Sequence, residues 1–72
     1  MTALTPMERR VFDVLDGEFE RPHVIAQRAK ITTISPSETA SKFCISLVRK
    51  GLAEKGGTST FPRWRKKPEP QP

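Results

Sequence analysis

The chain has 72 residues, one cysteine and a net charge of +5 at neutral pH. A chain of this length forms one domain with a thin core, which leaves little room for an enclosed active site. One cysteine excludes an internal disulfide and a cysteine-rich zinc site, and no run of about 18 apolar residues could cross a membrane. We therefore expect a soluble, cytoplasmic, non-enzymatic protein without a cofactor, a metal, a small-molecule substrate or a membrane partner.

The first predicted helix begins at Thr5-Pro6-Met7-Glu8. A threonine followed three residues later by a glutamate predicts a capping box, in which each side chain accepts a hydrogen bond from a free N–H group at the start of the helix. The proline between them is favoured at the first helical position. We expect the helix to run to about Asp16 and to end at Gly17. Its core candidates follow helical spacing and are Met7, Val11, Val14 and Leu15.

A short extended connection, 18–21, is expected next, with Phe19 turned inward. Pro22 then opens a second predicted helix that ends near Lys30. This helix is poorly capped because Arg21 is not an N-cap residue. The β-branched pair Thr32 and Thr33 disfavours a continuous helix, so we expect a short turn before the third helix.

The third predicted helix, 36–50, is the best formed. Ser35-Pro36-Ser37-Glu38 predicts a second capping box, and Gly51 predicts the helix end. Helical spacing places one set of residues on a buried face: Ala40, Phe43, Cys44, Leu47 and Val48. It places a second set on the opposite, exposed face: Glu38, Ser41, Lys42, Ile45 and Arg49.

Two alternating runs, 52–55 and 60–65, flank the turn residues Gly56-Gly57-Thr58-Ser59 and predict a β-hairpin. Pro62 cannot donate to a strand ladder, so it should lie at an edge or at the hairpin tip. The last residues, 66–72, are basic and proline-rich, and we expect a disordered tail there. The predicted domain therefore covers 4–65, with its hairpin wing at 56–65.

This order of elements resembles a winged helix-turn-helix domain, which is mainly α with three helices plus a small β-hairpin wing. The segment 46–55, Ser-Leu-Val-Arg-Lys-Gly-Leu-Ala-Glu-Lys, is similar to the third helix and first wing strand of MarR-like regulators. In that family a leucine, a basic pair and a glycine precede the hairpin. The resemblance implies that the third helix enters the major groove of DNA and that the wing lies on the backbone or in the minor groove.

The wing also resembles that of Zα domains, which bind left-handed nucleic acid and carry Gly-Thr-Pro-Pro-x-Trp. Pro62 and Trp64 match this motif. The turn here is two residues longer, and Phe61 stands in place of the first proline. Ser41 and Ile45 align with an asparagine and a tyrosine that contact nucleic acid in that family. The resemblance is therefore confined to the wing.

The candidate nucleic-acid contacts lie on two segments. Those on the third helix are polar, basic or able to touch a thymine methyl: Ser37, Thr39, Ser41, Lys42, Ile45 and Arg49. Those on the wing and tail are Arg63, Trp64, Arg65, Lys66 and Lys67. Trp64 either packs under the hairpin or stacks on a sugar or base. The two wing arginines either contact phosphates or form a solvated edge that prevents strand pairing.

The charge distribution favours a polyanionic partner. Residues 21–72 hold eleven of the thirteen lysines and arginines but three of the eight acids. The leading hypothesis is binding of double-stranded DNA by a small transcriptional regulator or accessory factor, with RNA left open. A homodimer or a protein partner would supply additional specificity. The alternative is a protein-interaction module that uses an exposed apolar patch around Ile45.

Overall fold

The structure is a computed structural model that describes residues 3–68. Three helices, α1 (Pro6–Val14), α2 (Pro22–Arg28) and α3 (Pro36–Arg49), precede two strands, β1 (Ala53–Gly57) and β2 (Pro62–Lys66). The strands form an antiparallel hairpin. The predicted fold class, mainly α with a hairpin wing, is confirmed. Residues 69–72 of the predicted tail lie outside the described residues.

The first capping box is confirmed at α1. Thr5 Oγ1 accepts a bond from the Glu8 N–H at 3.3 Å, and Glu8 Oε1 accepts one from the Thr5 N–H at 2.9 Å. The predicted end of the helix was wrong. Leu15 already has an extended backbone, and its side chain is 3% exposed in the core. The chain leaves the helix after Val14, and this change of direction places Leu15 in the core.

The second helix ends at Arg28, two residues before the predicted end. Lys30 adopts a left-handed backbone with φ 56°, and the Ile31 N–H bonds back to the Ala26 carbonyl at 3.0 Å. This reversal closes the helix and directs Ile31 into the core. As predicted, Arg21 provides no side-chain cap.

Of the two predictions made for the ends of α3, one is confirmed and one is wrong. Gly51 has φ 76° and follows the last turn, so the predicted glycine stop is confirmed. The second capping box is wrong, because the Ser35 side chain makes no capping hydrogen bond. Helix formation here depends on Pro36 and on the buried side of the helix, where Ala40, Cys44 and Leu47 are fully buried. Burial raises the pKa of the Cys44 thiol to about 12, which keeps it protonated and unreactive.

The two strands of the hairpin extend beyond their predicted limits, β1 toward the tip and β2 toward the base. β1 takes in Gly56 and Gly57, which had been assigned to the turn, so the turn is 58–61. Pro62 pairs with Gly57 at the tip of the hairpin, as predicted. β2 extends to Lys66, which had been assigned to the tail, and the Lys66 N–H donates to the Asp16 carbonyl at 2.7 Å. The loop after α1 therefore fixes the end of the wing.

A third extended piece adds to the hairpin. Glu20 forms an antiparallel bridge with Trp64, and the two residues exchange backbone hydrogen bonds of 2.8 and 3.0 Å. The neighbouring Phe19 does not turn inward as predicted, since it is 38% exposed. Its ring lies against Gly56, where a Cβ atom would be 2.6 Å from the ring. Phe19 therefore covers the outer side of the wing.

The core lies between the three helices and the inner side of the hairpin. Its buried hydrophobic residues are Val11, Leu15, Ile25, Ala26, Ala29, Ile31, Ala40, Cys44, Leu47, Ala53 and Trp64. Trp64 is the largest fully buried side chain among them. Phe43 and Val48 pack against the edge of this core, so the buried face predicted for α3 is confirmed. Within residues 3–68, no helix is long and apolar enough to cross a membrane.

Candidate nucleic-acid interface

The outward side of α3 forms a shallow surface, which we call the α3 face. It is lined by Glu38, Ser41, Lys42, Ile45, Ser46 and Arg49. Lys42 and Arg49 are exposed, and neither forms an ion pair with any other described residue. Ile45 lies between them and is 42% exposed. This face therefore combines two available cations with the Ser41 hydroxyl, one apolar side chain and the carboxylate of Glu38.

The two predicted contacts near the start of α3 have different environments. Ser37 is exposed. Thr39 is half-buried, and its hydroxyl lies 2.9 Å from the hydroxyl of Thr33 in a mutual hydrogen bond. Thr39 therefore orients the segment before α3, while Ser37 keeps its hydroxyl available to a ligand.

An ionic cluster fixes α3 against α1. Lys50 Nζ donates to Glu8 Oε1 and Oε2 at 2.7 and 2.8 Å, and the Ser46 hydroxyl donates to Glu8 Oε2. The bonds from Lys50, then those from Ser46 and the Thr5 N–H, lower the pKa of Glu8 to about 2. Glu8 is 4% exposed as a residue, so a largely buried charged side chain holds the end of α3 in place.

The basic residues predicted on the wing and tail separate into two groups. Arg63 and Lys67 are exposed and form no ion pair with a described residue. Arg65 instead bonds Glu54 through Nε at 2.8 Å and through Nη2 at 2.7 Å. Its guanidinium also lies 4.5 Å from the centre of the Phe19 ring. Arg65 is therefore engaged in holding the wing together.

Lys66 is also engaged within the domain. Its ammonium lies 4.5 Å from the centre of the Phe12 ring, so it joins β2 to α1 by a cation–π contact. Trp64 is 1% exposed and offers no ring surface for stacking. Of the two interpretations of Trp64, packing under the hairpin agrees with the structure, and contact with nucleic acid does not.

A groove of about 930 Å³ lies beside the wing tip, and we call it the wing groove. Its apolar wall consists of Phe19, Pro22, Phe61 and Pro62, and its polar lining includes Arg21, His23, Ser37, Thr58, Thr60 and Arg63. Phe61 is 72% exposed. Arg21 is exposed and, within 3–68, forms no ion pair.

Sequence reasoning missed the wing groove. It assigned no site role to Phe61, Arg21 or His23. One signal was present, since a phenylalanine next to Pro62 in a hairpin turn is poorly placed for core packing. The joining of this turn to the start of α2 depends on tertiary structure, and no spacing pattern encodes it.

Comparisons of the chain with models of protein families, with curated proteins and with solved structures found no match.

Proposed function

We propose that this protein is a winged helix-turn-helix DNA-binding domain that binds double-stranded DNA. The α3 face enters the major groove, and the wing contacts phosphates. The protein serves as a small transcriptional regulator or an accessory factor. The segment 46–55, which is similar to the third helix and first wing strand of MarR-like regulators, supports that assignment. The observation that carries the proposal is the pair Lys42 and Arg49 on the α3 face. Neither has an ionic partner among residues 3–68.

The charge of the wing supports the same partner. The segment 53–67 contains five lysines and arginines and one acid. Among the basic contacts predicted on the wing and tail, Arg63 and Lys67 are exposed and form no ion pair within the described chain. Together with Lys42 and Arg49 they give about four phosphate contacts, and the corresponding log–log salt slope is about −4.

The α3 face also contains one carboxylate, Glu38, at its N-terminal end. A carboxylate repels phosphates but accepts a hydrogen bond from the amino group of cytosine. In this proposal Glu38 favours one base at the start of α3 and lowers affinity for other sequences. Replacing it with glutamine should therefore strengthen binding to random-sequence duplex.

The test is fluorescence anisotropy of a labelled random-sequence duplex, titrated with protein at several salt concentrations between about 50 and 200 mM. We expect Lys42→Gln and Arg49→Gln each to reduce the salt slope by about 1. Arg9→Gln is the matched control, since Arg9 is an exposed cation on α1 outside the α3 face and the wing. No binding at the lowest salt, or equal effects of all three substitutions, would contradict the proposal.

A second candidate function is binding of another protein through the α3 face. The observation that favours it is Ile45, which is 42% exposed in the centre of that face. Binding of this kind would depend weakly on salt and strongly on Ile45→Ala. If Ile45→Ala instead weakens duplex binding while the salt slope stays steep, the assignment returns to DNA, with Ile45 touching a base.

A further inference from the structure

We propose that the wing groove binds an unpaired nucleotide, whose base stacks on Phe61 while its phosphates contact Arg21 and Arg63. This inference rests on the proposed function and extends it from paired to unpaired nucleic acid. The ligand class is single-stranded DNA or RNA, for example an overhang or a melted segment next to a duplex.

Phe61 presents an exposed ring on a turn whose backbone is fixed by hydrogen bonds. Its ring is 72% exposed, the highest value among the aromatic side chains of the domain. Its N–H donates to Thr58 Oγ1 at 3.0 Å, and its carbonyl accepts a bond from the Thr58 N–H at 3.3 Å. These bonds close the turn and fix the backbone that carries the ring. An exposed aromatic on a fixed backbone can stack on any base, because every base presents a π-face.

The charges around Phe61 match a phosphate backbone. Arg21 and Arg63 line the groove, are exposed and form no ion pair within 3–68. No carboxylate is among the described residues that line the groove. The Ser37 hydroxyl and the His23 imidazole add hydrogen-bonding groups to the same surface. The groove therefore combines a stacking ring with two cations, as sites for single-stranded nucleic acid do.

The position of the groove favours nucleic acid over an acidic peptide. Ser37 lines the wing groove and its neighbour Glu38 lines the α3 face, so the two surfaces adjoin at the start of α3. In the proposed arrangement, a strand that leaves a duplex on the α3 face passes Glu38 and Ser37 at the start of α3 before it reaches Phe61. Bases inside a duplex are stacked on both neighbours, so an interior base must leave the stack before it can contact this ring.

The experiment compares a labelled oligothymidylate with an abasic oligomer of the same length and phosphate number. We expect the wild-type protein to bind the oligothymidylate about 5- to 150-fold more tightly, the range of one base–aromatic stack. Phe61→Leu should remove that difference, because it keeps apolar bulk but lacks a π-face. Phe61→Tyr is the matched control and should retain the preference. Duplex affinity should change by less than about twofold in both variants.

The outcomes separate this inference from the proposed function. Normal duplex binding with equal affinity for the two oligomers would overturn the inference and leave the proposed function standing. Loss of duplex affinity on Phe61→Leu would also overturn it, because the ring would then serve paired DNA. If no nucleic acid binds at low salt, the proposed function fails. If the chemical shifts of the groove amides change on addition of an acidic peptide but not of oligothymidylate, the groove is assigned to a peptide.

Discussion

Lys50 at the end of α3 donates to both carboxylate oxygens of Glu8 in the first turn of α1. The two bonded residues are 42 positions apart in the chain, and their pair joins α3 to α1. The side chain of Glu8 therefore has two functions, since it caps α1 through Thr5 and anchors α3 through Lys50. The orientation of the proposed DNA-binding helix depends on this anchor.

The first prediction concerns the pH dependence of stability. The pKa of Glu8 is lowered to about 2 from an ordinary value of 4.5. The unfolded chain then binds more protons than the folded chain between these values, so stability rises with pH across this window. We expect the contribution of Glu8 to be complete above about pH 5 and to be lost as the pH falls toward 2. Urea unfolding at several pH values measures it.

Glu8→Gln should lower the free energy of unfolding at pH 7 and flatten the acid limb of the pH profile. Glu18→Gln is the matched control, because Glu18 is exposed and has no ionic partner within 3–68. It should leave the profile unchanged. An unaltered acid limb in Glu8→Gln would show that the Lys50 pair does not stabilise the fold.

The second prediction concerns the wing tip. Gly57 has φ 75°, and a Cβ atom there would be 2.3 Å from the Phe61 carbonyl oxygen. We expect Gly57→Ala to destabilise the domain by more than the roughly 1–2 kcal/mol that a left-handed backbone alone costs. Gly51→Ala is the matched control, since Gly51 has φ 76° with nothing within 4 Å. Thermal unfolding of both variants isolates the steric contribution. Equal losses would mean that the tip relaxes freely.

The third prediction separates the two wing arginines. Arg65 is paired with Glu54 and stacked on Phe19, whereas Arg63 is exposed. Arg65→Gln should lower stability by about 1 kcal/mol, since both partners of the ion pair are partly solvated. It should leave the salt slope of DNA binding unchanged. Arg63→Gln should have the reverse effects, a slope smaller by about 1 and unchanged stability. Calorimetry and anisotropy on both variants would reveal an exchange of these roles.

The fourth prediction concerns Trp64. Because the ring is buried, Trp64→Phe should lower stability by roughly 1–3 kcal/mol through a small cavity. The loss is limited because the indole N–H has no hydrogen-bond partner among the described residues, so its removal leaves no acceptor unpaired. At temperatures below its unfolding transition, the Trp64→Phe variant should bind DNA with an affinity within about twofold of the wild type. A folded variant with tenfold weaker DNA binding would return Trp64 to the interface.

The order and type of the elements were predictable because local chemistry encodes them. Each helix signal affects the backbone only within a few residues. These signals are the capping box of Thr5 and Glu8, the proline that starts each helix, and Gly51. The buried side of α3 followed from helical spacing alone. Sequence reasoning also identified Lys42 and Arg49, since an exposed side follows once the buried side is known.

Tertiary structure decided which charges are available. Arg65 and Lys66 resemble Arg63 and Lys67 in sequence, but Glu54, Phe19 and Phe12 engage the first two within the domain. The wing groove likewise exists only where the hairpin turn meets the start of α2. Such contacts join residues far apart in the chain, and their energies depend on packing geometry, which local sequence patterns do not carry. The sequence by itself therefore determined the elements and their faces, while the tertiary structure determined which side chains remain free to bind a partner.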